Sequence, residues 1–170
     1  MWVLDATPLT YLAKVDRLGV IDHLDGQRAI PEVVYDEVVA DGLEAGYPDA
    51  RRVERSIESG TLETVATEET ALLDRLRENP NLSDADAAVL ACAEERDGTA
   101  VTDETYGRNV ADAEGIATRG TAYIVLSAAK TGPINPDAAR ETIDGMIDAG
   151  WYCAPDVYAE IVEKVESLAD

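Results

Sequence analysis

The stretch LSDADAAVLACAEERDGTAVTDETYGRNVADAEGIATRG, residues 82–120, decides the architecture. LSDADAAVLACAEERDG reads as a helix with Ser83 as its N-cap and Gly98 at its end. TAVT, residues 99–102, is a short strand that runs directly into Asp103 and Glu104. TYGRNVADAEG is a second helix and IATRG a second strand. Strands that alternate with helices of this length imply a parallel sheet covered on both faces, an α/β fold.

The same rhythm extends in both directions. Upstream, WVLD (residues 2–5) is an apolar strand that stops at an acid, and RAI and TLETV are two further strands. The segment TPLTYLAKVDRLGVIDHL places Leu9, Leu12 and Ala13, then Leu18, Ile21 and Leu24, at helical spacing. It predicts two short helices broken near Gly19. Pro31 opens a helix over IPEVVYDEVVADG, a favoured first-turn position, and residues 42–48 read as a loop. DARRVERSIES is an amphipathic helix ended by Gly60, and ETALLDRLREN a helix closed before Pro80. Downstream come a helix over TAYIVLSAAKTG, one capped by Asn135 before Pro136, a short edge strand WYCA, and a terminal helix opened by Pro155.

Composition narrows the function classes. Thirty-five acids face fourteen bases, a formal net charge of −21, yet 46% of residues are hydrophobic. That hydrophobic content and the regular periodicity exclude a disordered acidic chain. A folded domain with a densely acidic surface suits a salt-rich, halophilic cytoplasm, where the Debye length falls to ~3 Å at 1 M and self-repulsion is screened. No apolar run reaches the ~18 residues of a membrane span, and MWVLD lacks the features of a signal peptide. The expected location is cytoplasmic. Cys92 and Cys153 form no CxxC pair and read as small apolar side chains. His23 is the only histidine, so nucleophilic triads are poorly supported. Neither GxGxxG nor GxxxxGK[ST] occurs.

In so acidic a chain, an acid is informative only where its position is odd. Asp5 and Asp103 both end apolar strands, and in open parallel sheets ligands gather beyond the carboxyl ends of the strands. A helix-entry turn is the alternative use of either residue. In the helix after Pro31, Glu32 and Asp36 share one face, whereas at 100° per residue Glu37 projects between Val33 and Val34, inside the apolar arc. In LSDAD, Asp86 lies on the face of Leu90 and Asp84 points away. Ser83 and Asp86 also have the spacing of a capping box, so a cap and a ligand both remain open for Asp86. Clustered carboxylates repel and resist ionisation, and a divalent cation removes that cost. Oxygen-only ligands suit Mg²⁺ or Mn²⁺ rather than zinc, and such a site can hold a phosphate for attack by water.

Taken in order, these segments resemble a PIN-domain nuclease over nearly the whole chain. VLDATPLTYLAKVDRLGVID resembles the family's first strand ending in D-A-S/T-P-L, and IPEVVYDEVV its P-x-x-V-x-x-E helix. LSDADAAVLACA resembles its third motif, AVTDETYGRNVADAEGI its T-D-D…A-R-x-A segment, and RGTAYIVLSAAKTGPI its G-T…L…A-K-x-G-x-I segment. The resemblance implies a three-layer PIN-like α/β fold, with residues 1–130 as catalytic core and 131–170 as a C-terminal helical extension on the same domain. It implies a Mg²⁺- or Mn²⁺-dependent endoribonuclease, as in VapC-type toxins of toxin–antitoxin pairs. An RNA substrate, an antitoxin protein and a homodimer are the implied partners. Asp5, Glu37, Asp86 and Asp103 become the catalytic and metal-binding acids. Thr7 orients the first of them, Thr102 is a supporting residue, and Glu104 stands where the family has a second aspartate. Asp84 competes with Asp86 for the third position. A PIN-like fold kept for protein contacts without turnover is the alternative. Basic residues that could meet RNA are Arg51, Arg52 and Arg55 on one helix, and Arg108 and Arg119 near the second acidic strand end. No aromatic residues interleave with either set.

Overall fold

A computed structural model describes residues 1–170. Five short strands, β1 (Trp2–Leu4), β2 (Arg28–Pro31), β3 (Glu63–Val65), β4 (Thr99–Val101) and β5 (Ala117–Arg119), form one sheet in the order β3-β2-β1-β4-β5. Every neighbouring pair is parallel. From β1 the chain builds outward through β2 to β3, and then returns to the far side of β1 to add β4 and β5. Right-handed crossovers that progress in opposite directions must cover opposite faces of a sheet, which gives the three layers. The direction reverses between β1 and β4, so a crevice opens beyond their carboxyl ends.

The first half carries α1 (Ala6–Lys14), a 3₁₀ turn (Leu18–His23), α2 (Glu32–Tyr35), α3 (Asp41–Glu44) and α4 (Pro48–Glu58). The second half carries α5 (Ala71–Arg77), α6 (Asp84–Glu95), α7 (Thr105–Ala113), α8 (Thr121–Thr131), α9 (Pro136–Asp148) and α10 (Pro155–Ala169). The apolar face read from α1 is fully buried at Leu9, Leu12 and Ala13. α6 lies across β1, β2 and β4 and is buried at Ala85 and from Ala87 through Ala93. A helix that is apolar almost all round belongs in the interior, and its alanines let it approach the sheet closely. Cys92 is one of these buried small side chains. α9 and α10 pack against α8. No helix is long and apolar enough to cross a membrane.

Four local expectations are corrected. The first two helices break at Val15–Arg17, where Asp16 adopts φ 55°, and not at Gly19, which lies inside the 3₁₀ turn. Residues 42–44, expected in a loop, continue a helix as α3. There Gly42 lets the chain pass close: a Cβ on it would lie 2.7 Å from the Ala50 Cβ. The helix after Pro31 is not uniform, because Asp36–Ala40 between α2 and α3 forms a π turn. WYCA forms no strand. Trp151 instead closes α9 by donating its backbone N–H to the Met146 carbonyl (2.9 Å).

Candidate active site

Register builds the site. Leu4 pairs with Val101, so the next residues, Asp5 and Thr102, leave β1 and β4 side by side. The Asp5 backbone N–H donates to the Val101 carbonyl (3.0 Å), which holds that step. Asp5 is the N-cap of α1, its Oδ1 accepting from the Ala6 N–H (2.8 Å). Its Oδ2 accepts from the Thr102 hydroxyl (3.3 Å). Thr7, expected to orient Asp5, makes no hydrogen bond to it. An N-cap carboxylate takes its partner from the adjacent backbone, and the neighbouring strand supplies the second donor.

Asp86 meets Asp5 across a narrow cleft that Val89, Leu90, Thr102 and Gly107 also line. The capping box is present: Ser83 Oγ accepts from the Asp86 N–H (3.0 Å), and Asp86 Oδ2 accepts from the Ser83 N–H (3.1 Å). Cap and cleft residue are thus compatible, because the cap engages only Oδ2 and Oδ1 makes no protein hydrogen bond. Asp84, the competitor, is exposed and does not line the cleft.

Asp5 is only 7% exposed. Burial pushes its carboxyl up to about 6; the nearby charges of Asp86 and then Glu37 add to this, and the Ala6 and Thr102 hydrogen bonds oppose it. Glu37 therefore acts on Asp5, yet it is exposed and not buried among the apolar residues of its helix. Glu37 lies inside the π turn Asp36–Ala40, where the Asp41 N–H donates five residues back to the Asp36 carbonyl.

Asp103 faces another way. Its Oδ1 accepts from the Thr121 N–H (2.8 Å), and its Oδ2 accepts from the Thr121 hydroxyl (2.6 Å) and the Trp151 indole N–H (3.0 Å). Past the end of β4, the Thr102 hydroxyl meets Asp5 while the Asp103 carboxylate is held by Thr121 and Trp151. Neither the four acids together nor any three of them gather into a metal-holding group as the side chains stand. Gly120 makes room for Asp103, since a Cβ there would lie 2.9 Å from Oδ1. Glu104 caps α7, accepting from the Tyr106 N–H (3.0 Å) and from the Gly107 N–H, and its own N–H donates to the Thr102 hydroxyl (3.3 Å). Thr121, Trp151 and Gly107 were not singled out from the sequence. A buried Trp needs a partner for its N–H, which was the available signal for Trp151.

His23 donates to the Val20 carbonyl within its own 3₁₀ turn and takes no part in the cleft. In the first basic set, Arg51 pairs with Glu54 (3.6 Å), while Arg52 pairs with Asp16 (3.6 Å) and donates to the Ala13 carbonyl (2.5 Å).

The DUF3368 family model, described as a PIN domain, matches residues 1–167. No curated protein and no solved structure gives a match. The parallel five-stranded sheet, the acid beyond β1 and the length of the family match agree, and the chain belongs to the PIN-domain family.

Proposed function

We propose that this protein is an endoribonuclease that hydrolyses RNA phosphodiester bonds with Mg²⁺ or Mn²⁺ held between Asp5 and Asp86, with the charge of Glu37 nearby. PIN domains are generally nucleases that typically use divalent metal ions. The observation that carries the reading for this chain is Asp5: a carboxyl buried opposite Asp86, with no basic side chain lining their cleft. Such an arrangement lacks a positive charge, and its donors fit a hard cation, being carboxylate and hydroxyl oxygens without thiol or imidazole. The cation supplies positive charge opposite a phosphate and favours attack by water.

The chain's own residues prepare the site. Ala6 and Thr102 fix the Asp5 carboxylate, and Ser83 fixes Asp86 through one oxygen. Val89 and Leu90 line the cleft with apolar surface, which limits competing water. Glu104 holds the first turn of α7 beside the cleft, and Gly107 keeps that wall thin. Asp103, expected as a fourth ligand, is assigned a positioning role: it ties the end of β4 to Thr121 and Trp151.

The test is cleavage of an end-labelled unstructured RNA with Mg²⁺, with Mn²⁺ and with EDTA. Cutting by the wild type with metal, and none by Asp5→Asn, is expected. Cleavage in EDTA, or undiminished cleavage by Asp5→Asn, would sink the reading. A toxin role, which the resemblance to VapC-type toxins implies, predicts growth arrest on expression that Asp5→Asn relieves and a cognate antitoxin suppresses.

A further inference from the structure

Beyond the far wall of the active-site cleft lies a larger groove of about 980 Å³ between α8 and α10. The first turn of α7 separates the two. Gly107 lines the cleft, whereas Thr105 and Arg108 line the groove, and on β4's exit Thr102 belongs to the cleft and Asp103 to the groove. The groove therefore begins one residue from the group that holds Asp5.

Its charge is unlike that of the rest of the molecule. Arg108, Arg119, Lys130 and Lys164 line it against only two carboxylates, Asp103 and Glu160, in a chain with fourteen bases and thirty-five acids. The imbalance is thus inverted locally. None of these four cations is in an ion pair. Asp103 is already satisfied by three hydrogen bonds. Aromatic surface gathers in the same place. Five large hydrophobic side chains are exposed on the whole chain, and three of them, Tyr123, Tyr152 and Val157, line this groove. Tyr152 is 83% exposed, whereas the Tyr123 ring is already stacked on Trp2 (centroids 6.2 Å apart) with Arg119 over it at 5.2 Å.

A cationic channel with exposed aromatic faces is the combination that binds single-stranded nucleic acid: cations track the phosphates and rings stack on bases. We infer that this groove holds the single-stranded RNA flanking the bond to be cut, with phosphates on Arg108, Lys130 and Lys164 and a base against Tyr152. This rests on the nuclease reading for the identity of the strand, while the binding itself needs neither metal nor Asp5. Stacking is less sensitive to salt than phosphate contacts are, so Tyr152 carries a growing share of the affinity as salt rises. The groove admits unpaired RNA, because stacking on a ring requires a free base face.

The test is fluorescence anisotropy of labelled oligouridylate, oligoadenylate and an RNA duplex in EDTA, so that nothing is cut. Lys130→Gln combined with Lys164→Gln is expected to weaken single-strand binding several-fold and reduce the salt slope by about 1.4, two contacts at ~0.7 each. Tyr152→Ala is expected to weaken it about tenfold, with oligoadenylate affected most and the loss persisting at high salt. All these side chains are exposed, so unchanged melting temperatures confirm that the variants fold. Undetectable binding of single strands by the wild type, or wild-type affinity in both variants, overturns the inference. So does a groove covered by a second copy, seen as a dimer that these variants split without loss of RNA affinity. Asp5→Asn keeps the outcomes separate. If it binds RNA as the wild type does and still cuts, the nuclease assignment fails and the groove stands; if it alone abolishes cutting while groove variants bind normally, the groove fails and the nuclease stands.

Discussion

Asp5→Asn, in metal-free buffer, should make the protein more stable at neutral pH, and the gain should depend on pH. In the folded chain the Asp5 carboxyl titrates at about 6 against an ordinary 3.8. A difference of about 2 units at ~1.36 kcal/mol each is about 3 kcal/mol. The sign follows from proton affinity: the folded state holds this proton more tightly than the unfolded chain. Its contribution is fully present below pH ~4, is lost as pH rises through about 6, and is absent at neutral pH. Asparagine carries no charge, still caps α1 through its carbonyl, and removes the titration. The melting temperature of Asp5→Asn should therefore match the wild type near pH 4 and exceed it by roughly 6–12 °C at neutral pH, at 2–4 °C per kcal/mol for a chain of this size. Burial is the largest cause of the shift, so most of the gap should survive multimolar KCl, which screens only the part due to Asp86 and Glu37. Mg²⁺ should raise the melting temperature of the wild type and leave the variant unmoved. Paired calorimetric melts across pH check this. A gap that does not change with pH, or a variant less stable at neutral pH, would refute the account of Asp5 as a buried, uncompensated charge.

Asp86→Asn should keep the capping box, because its carbonyl can still accept from Ser83, while lowering the Asp5 titration point and abolishing metal-dependent cleavage. Asp86→Ala should also lose about 1 kcal/mol of stability; NMR titration of the Asp5 carboxyl and chemical denaturation read the two effects. Glu37→Gln should weaken Mg²⁺ binding measured by calorimetry, and Asp36→Asn should not, since of the two only Glu37 contributes to the Asp5 shift; equal effects would count against the assignment. Trp151→Phe removes one of three donors to Asp103 and should cost about 1.5–3 kcal/mol in urea unfolding, with Asp103→Asn and Trp151→Phe non-additive in a double-mutant cycle.

The acidic coat, the α/β class, all five strands and the caps at Ser83 and Asn135 were legible in the residues, because each follows from local spacing and local chemistry. Asp5 was legible for the same reason: an apolar strand that stops at an acid marks the open end of a parallel sheet. What a residue faces was not. Strand register places Thr102 beside Asp5, and tertiary contacts with Thr121 and Trp151 engage Asp103. Glu37 sits in a π turn and ends exposed, and no spacing rule shows where hydrogen bonding slips from i+4 to i+5. The groove is the furthest case. Tyr123, Tyr152, Arg108, Lys130 and Lys164 are scattered over residues 108–164 with no common period, so no reading along the chain unites them. They meet only because α8 and α10 pack side by side, and packing follows from the apolar surface those helices must bury together rather than from the polar residues left at its edge.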